Sequence, residues 1–82
     1  MVTVKFENDL LKTIKKIKDT SIKEKIKTQI EKIIEHPEIG KPMRYARKGT
    51  RELYISSYRI AYAYYKEEKK IIFLDFYHKD EQ

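Results

Sequence analysis

An α+β fold is predicted: an N-terminal strand, a two-helix hairpin, then a three- or four-stranded antiparallel sheet packed on the helices. Apolar residues recur at helical spacing before Pro37 and alternate at strand spacing after Pro42, and the two prolines bracket the change. With 82 residues the chain makes a single domain, 1–82, and leaves no length for a second one.

Residues 2–6 alternate Val2, Val4 and Phe6 with Thr3 and Lys5, the period of a strand with one buried face. Asn8 or Asp9 is placed to cap the first helix, where Leu10, Leu11, Ile14 and Ile17 form an apolar stripe and the lysines fall largely outside it. Asp19-Thr20-Ser21 interrupts the pattern. Ser21, with Glu24 three residues on, has the capping-box spacing for a second helix whose stripe is Ile22, Ile26, Ile30, Ile33 and Ile34. Pro37 lacks an amide proton and restricts its predecessor, so this helix ends near Glu35 or His36.

Residues 38–42 read as a connecting loop, 43–46 as a short strand and 48–50 as a turn. Leu53 and Ile55 alternate with Glu52, Tyr54 and Ser56. Residues 58–65 (YRIAYAYY) are rich in aromatic and β-branched types, 66–70 form a charged turn, and 71–77 (IIFLDFY) make a central strand with both faces at least partly covered. One face of 58–65 carries Tyr58, Ile60, Tyr62 and Tyr64; the other carries Arg59, Ala61, Ala63 and Tyr65. An arginine beside alanines leaves room for a bound chain to approach its guanidinium. The alternative is a cross-strand pair of Arg59 with Glu52 or Asp75, and this segment alone leaves both open.

Charge narrows the choice of partners. The net charge is +6, from 19 Lys plus Arg against 13 Asp plus Glu. All four arginines, Arg44, Arg47, Arg51 and Arg59, lie between Lys41 and Arg59, where Glu52 is the only acid. The helical lysines alternate with glutamates as on a solvated face, whereas clustered guanidinium groups match phosphate oxygens and point to an anionic ligand. Seven Tyr and three Phe carry too much aromatic surface for a disordered chain. A domain this small buries only about 60% of the surface its unfolded chain exposes, so a partner that covers it adds stability.

The lack of cysteine excludes disulfides, thiolate metal sites and cysteine nucleophiles, and suits a reducing compartment. No apolar run approaches the roughly 18 residues of a membrane span, and no signal sequence is visible. A cytoplasmic protein with no membrane partner is expected. His36 and His78 are the only histidines and form no ligand motif, so neither a metal nor another cofactor is expected, and His36 reads as a helix-end residue. Gly40 and Gly49 build no phosphate loop, and Ser21, Ser56 and Ser57 build no nucleophile elbow.

Cleavage of RNA without a metal stays open, because RNA supplies its own 2′-hydroxyl nucleophile. The protein must then hold the hydroxyl in line, stabilise charge on phosphorus and move protons. Arg59, Arg51, Arg47, Lys48, His78, Tyr77 and Lys79 supply the residue types, and Tyr65 or Tyr45 can stack on bases.

Two stretches carry a more specific signal: Tyr58-Arg59-Ile60-Ala61-Tyr62, and the run from Phe73 to Glu81 that contains His78-Lys79-Asp80-Glu81. With the basic segment RYARKGTREL before them, they resemble the RelE/ParE superfamily of type II toxin–antitoxin toxins in order and spacing, over essentially the whole chain. The resemblance implies a growth-inhibiting toxin, most often one that cuts mRNA in the ribosomal A site, neutralised by an antitoxin encoded beside it. It gives Arg59 the contact to the scissile phosphate, and gives Lys48, Lys79 and His78 catalytic positions. Arg44, Arg47, Arg51, Tyr65 and Tyr77 are the expected substrate contacts, on charge and aromatic character. The tyrosine that many RNA-cleaving members place after His-(Arg/Lys)-x-Glu has no counterpart before Gln82, and Tyr77 precedes the His-Lys pair. Proton transfer then falls to His78 or Lys48.

The leading expectation is a ribosome-dependent mRNA endonuclease that inhibits translation, with the ribosome, mRNA and a small acidic antitoxin as partners. The alternatives are a ParE-like inhibitor of DNA gyrase without nuclease activity, and a non-catalytic RNA- or ribosome-binding module.

Overall fold

In the computed structural model, which describes residues 2–43 and 49–81, the N-terminal alternation forms strand β1 (Thr3–Phe6), with Val4 and Phe6 turned inward. The ladder runs one residue further, since the Glu7 amide donates to the Phe73 carbonyl at 2.9 Å. That bond holds Glu7 extended (φ −72°, ψ 148°) and makes it the N-cap of α1 (Asn8–Lys15). Neither Asn8 nor Asp9 caps the helix, because the sheet has already fixed the residue before them.

Helix α2 (Thr20–Glu35) is capped by Asp19, whose carboxylate accepts from the Ser21 and Ile22 amides at 2.9 and 3.3 Å. The expected cap, Ser21, lies inside the first turn. A carboxylate is the stronger acceptor at the positive end of a helix, which favours the earlier residue. The helix stops at Glu35, with His36 as its non-helical C-cap before Pro37.

Among the described residues the sheet has five strands in the order β1-β5-β4-β3-β2, completed by β2 (Lys41–Pro42), β3 (Thr50–Ile55), β4 (Tyr58–Tyr65) and β5 (Lys70–His78). β1 is parallel to β5, and the other neighbours are antiparallel. The expected architecture holds, with β1 joined to the antiparallel strands in one mixed sheet, and Lys41 and Pro42, read as loop, pair with Glu52 and Arg51. Of the strand expected at 43–46, Met43 lies just past β2, and 44–46 fall outside the described residues. The β3–β4 hairpin turns through Ser56 and Ser57, with Ser56 at φ 56°. Lys79–Glu81 closes the chain as a 3-10 turn.

The core lies between the helices and one face of the sheet. Leu10, Ile33, Ile60, Tyr62, Ile71 and Phe73 are fully buried, and Ile26, Ile55 and Phe76 nearly so. A β-bulge explains the near-continuous apolar run of β5. Asp75 pairs with Ala61 but Phe73 pairs with Tyr62, which leaves Leu74 as the extra residue. Inward positions are therefore Ile71 and Phe73 before the bulge, then Phe76 after it. Phe73 stacks on Phe6 at 4.9 Å, and Phe76 on Tyr58 at 4.9 Å.

Candidate nucleic-acid interface

The sheet face away from the helices carries the alternate set of side chains. On β4 these are Arg59, Ala61, Ala63 and Tyr65, and across from Arg59 stand Tyr54 on β3 and Tyr77 on β5. Ala61 lies between Glu52 and Asp75. Register thus brings Arg59, Glu52, Tyr54 and Tyr77 into one cluster. The Arg59 carbon Cζ sits 4.5 Å above the Tyr54 ring, a cation–π arrangement. Its Nη1 is 3.9 Å from a Glu52 carboxylate oxygen, and the Tyr77 hydroxyl donates to the other oxygen at 3.1 Å.

These distances bear on which reading of Arg59 applies. Arg59 does face Glu52, but 3.9 Å is an electrostatic contact beyond hydrogen-bonding range. The planar fork of the guanidinium is thus not consumed by its neighbour. Its side chain is 24% exposed, sheltered from bulk water yet reachable by a phosphate. Glu52 is the more sheltered partner at 13% and is held by Tyr77.

The other expected site residues divide by face. Tyr65 and Tyr77 share the open side with Arg59, at the ends of a trough floored by Ala61 and Ala63. Arg51 stands opposite Tyr62 on the helix side, where its Nη1 donates to the carbonyls of Gly40 (2.7 Å) and Glu38 (3.1 Å). That arginine fastens the 38–40 loop. His78 is also on the helix side, edge-on to Tyr58 with centroids 5.3 Å apart. Its Nδ1 accepts from the Asp80 amide at 3.2 Å and lies 3.5 Å from an Asp80 carboxylate oxygen. Lys79 is exposed on the terminal turn. Arg44, Arg47 and Lys48, with Tyr45, lie outside the described residues.

Glu52 and Tyr54 are the residues of this cluster that sequence reading leaves out of the site, Glu52 entering only as an ion-pair candidate. The available signal is the two-residue Ser56-Ser57 turn. Such a turn fixes hairpin register, and so sets Tyr54 against Arg59 and Glu52 against Ala61.

The helix side has its own surface feature. An apolar groove of about 690 Å³ lies between α1 and α2, lined by Phe6, Leu11, Ile14, Ile26 and Ile30 and edged by Lys15, Lys23, Lys27 and Glu31. Among the described residues, no group of three or more His, Asp or Glu side chains is arranged to hold a metal ion. No described helix is long and apolar enough to cross a membrane.

Solved structures share this fold. The chain is 18% identical to a chain of the intact Escherichia coli RelBE toxin–antitoxin complex, with a TM-score of 0.80 over 95% of this chain and 96% of that one. For the RelBE2 complex of Mycobacterium tuberculosis the values are 22%, 0.74, 94% and 96%. For the archaeal RelE–RelB complex of Pyrococcus horikoshii they are 14%, 0.79, 99% and 98%. No curated protein sequence matches the chain. A family model described as the ParE toxin of type II toxin–antitoxin system, parDE, matches residues 1–82. The chain therefore belongs to the ParE toxin family, within the RelE/ParE superfamily of type II toxin–antitoxin toxins.

Proposed function

We propose that this toxin is a ribosome-dependent mRNA endonuclease that binds the scissile phosphate on the open face of its sheet, at Arg59. The observation that carries this reading is the Arg59 guanidinium, semi-sheltered on a small-residue strand and beyond hydrogen-bonding distance of Glu52. In that position it stabilises the negative charge that builds on phosphorus. Glu52, held by the Tyr77 hydroxyl, is the carboxylate nearest that charge and takes the proton from the 2′-hydroxyl. The 2′-oxygen then bonds to phosphorus, the bond to the 5′-oxygen breaks, and the products are a 2′,3′-cyclic phosphate and a 5′-hydroxyl. The departing 5′-oxygen takes its proton from Lys48 or Lys79.

The test is to translate a message with purified ribosomes in the presence of the toxin and map the new 5′ ends. Cuts within translated codons, lost in Arg59→Ala, support the reading; intact translated message alongside growth arrest removes it. RNA bound but never cut assigns the non-catalytic role instead. Inhibition of DNA gyrase is the second reading, favoured by the match to the ParE family along the whole chain. It needs protein contacts but no proton transfer, and trapped DNA breaks in a supercoiling assay are its signature.

Neutralisation by an acidic antitoxin accompanies either target, in keeping with the RelB-bound structures that share the fold. The groove between α1 and α2 suits an amphipathic antitoxin segment, since its floor is apolar and its edge bears lysines. Leu11 is 46% exposed there. Leu11→Asp is expected to weaken binding of the antitoxin encoded alongside by about tenfold or more, read by calorimetry. Unchanged affinity removes this docking site.

A further inference from the structure

Beside Arg59 the open face sinks into a trough of about 390 Å³, lined by Met43, Thr50, Ala61, Ala63, Tyr65, Leu74, Asp75 and Tyr77. This volume lies in the range of small-ligand sites. Its floor is unusual for a central strand, because Ala61 and Ala63 leave the backbone low while Tyr65 and Tyr77 stand at its ends. The β5 bulge falls against the same floor and brings successive residues, Leu74 and Asp75, to the trough together. Bulges re-aim side chains in this way next to functional sites. An apolar slot with aromatic ends and one carboxylate suits a flat, donor-bearing ring.

We propose that this trough is a nucleobase subsite that takes guanine, with Asp75 accepting from the guanine N1–H and N2–H groups. The proposal rests on the RNA reading above and names the base beside the phosphate. Asp75 Oδ1 already accepts from the Phe76 amide at 2.9 Å, which orients the carboxylate and leaves lone pairs on both oxygens. Two parallel acceptors ask for two adjacent donors. Guanine offers them on its Watson–Crick edge, whereas adenine and cytosine place a ring acceptor beside their amino group, and uracil sets its one N–H between two carbonyls. Polarity is fixed as well: the carboxylate repels a phosphate, so the phosphate lies toward Arg59 and the base toward Ala61 and Asp75. Arg59 and Ala61 are two residues apart on β4, roughly 7 Å along an extended strand, a span one nucleotide bridges from phosphate to base.

The experiment titrates the isotope-labelled full chain with GMP, AMP, CMP and UMP and follows the backbone amides by NMR. GMP is expected to shift Ala61, Ala63, Leu74 and Asp75 and to bind tighter than the other three. Asp75→Asn keeps an oxygen for the Phe76 amide but turns the other acceptor into a donor. It is expected to weaken GMP about tenfold and to hold or strengthen AMP, whose acceptor and amino donor match an amide, with an unaltered melting temperature showing that the fold is intact. Equal response to all four nucleotides, or unchanged GMP affinity in Asp75→Asn, overturns the proposal. So does a trough that ignores every nucleotide while its amides shift on adding the antitoxin. If GMP binds as described but translated message stays whole, the endonuclease reading fails and the guanine subsite stands.

Discussion

The two faces of one sheet are made to opposite rules. Toward the helices, Ile55, Ile60, Tyr62, Phe73 and Phe76 are at most 2% exposed and packed against apolar neighbours. Away from them, the same strands carry Arg59, Glu52, Tyr54 and Tyr77, with two alanines where bulk would be expected. Tyrosine shows the difference most clearly. Tyr62 buries its ring and closes its hydroxyl in a loop, donating to the Pro37 carbonyl and accepting from the Gly40 amide, both at 2.8 Å. Tyr77 gives its hydroxyl to Glu52, a carboxylate beside the phosphate-binding candidate. One face holds the fold, and the other can be changed at little cost to it.

The largest expected effect lies on the helix side. Phe73 is fully buried and touches Phe6 and Tyr62, so Phe73→Ala is expected to cost about 3–5 kcal/mol, most of the stability of a small domain. Urea denaturation measures it, and a loss below about 1 kcal/mol breaks the comparison.

Next is Gly40→Ala, at about 1–3 kcal/mol. A Cβ at Gly40 would stand 2.5 Å from the Tyr62 hydroxyl oxygen and 2.8 Å from a ring carbon. The phenol has nowhere to retreat, because it is buried and bonded on both sides of the loop. Thermal unfolding of the variant reads the cost.

Tyr62→Phe sharpens the same point through pH. Burial, the largest cause, and the Glu38 carboxylate push the Tyr62 phenol above the ordinary 10.0, outweighing the Gly40 bond and Arg51, which pull it down. Its unfolded form therefore ionises first on raising the pH. Stability from this group is full below about pH 10 and falls as the pH climbs toward the raised folded value. Tyr62→Phe is expected to cost about 1–3 kcal/mol at neutral pH and to flatten the alkaline decline seen in melting temperature. An identical alkaline slope in both proteins assigns the decline to other groups.

How far the sequence carries depends on whether a feature is local. Alternation within 58–65 separates Arg59 and its alanines from Tyr62, and helical spacing finds both apolar stripes, because these patterns are written in neighbouring residues. The parallel pairing of β1 with β5 is not, since it joins the two ends of the chain and leaves no mark in either segment. Arg51 shows the same limit. Composition groups it with Arg59, but β3 presents it on the other face, and the carbonyls it meets belong to a loop 11 and 13 residues earlier. His78 is separated from Tyr77 by a single step of alternation, and the bulge at Leu74 resets the phase before both.

Arg59→Ala is the smallest expected change in stability, and for that reason the most informative about the open face. The side chain gives up a cation–π contact and a loose ion pair, each worth about 1 kcal/mol or less at a partly exposed site. The melting temperature should scarcely move, while cleavage of translated message falls by about a hundredfold or more. Glu52→Gln provides the control, because it keeps the hydrogen-bonding shape toward Tyr77 but removes the charge and the proton acceptor. If both variants melt like the parent and both lose cleavage, the open face carries the chemistry. If Arg59→Ala destabilises as much as Gly40→Ala, Arg59 is holding the sheet together, and the division between the two faces is wrong.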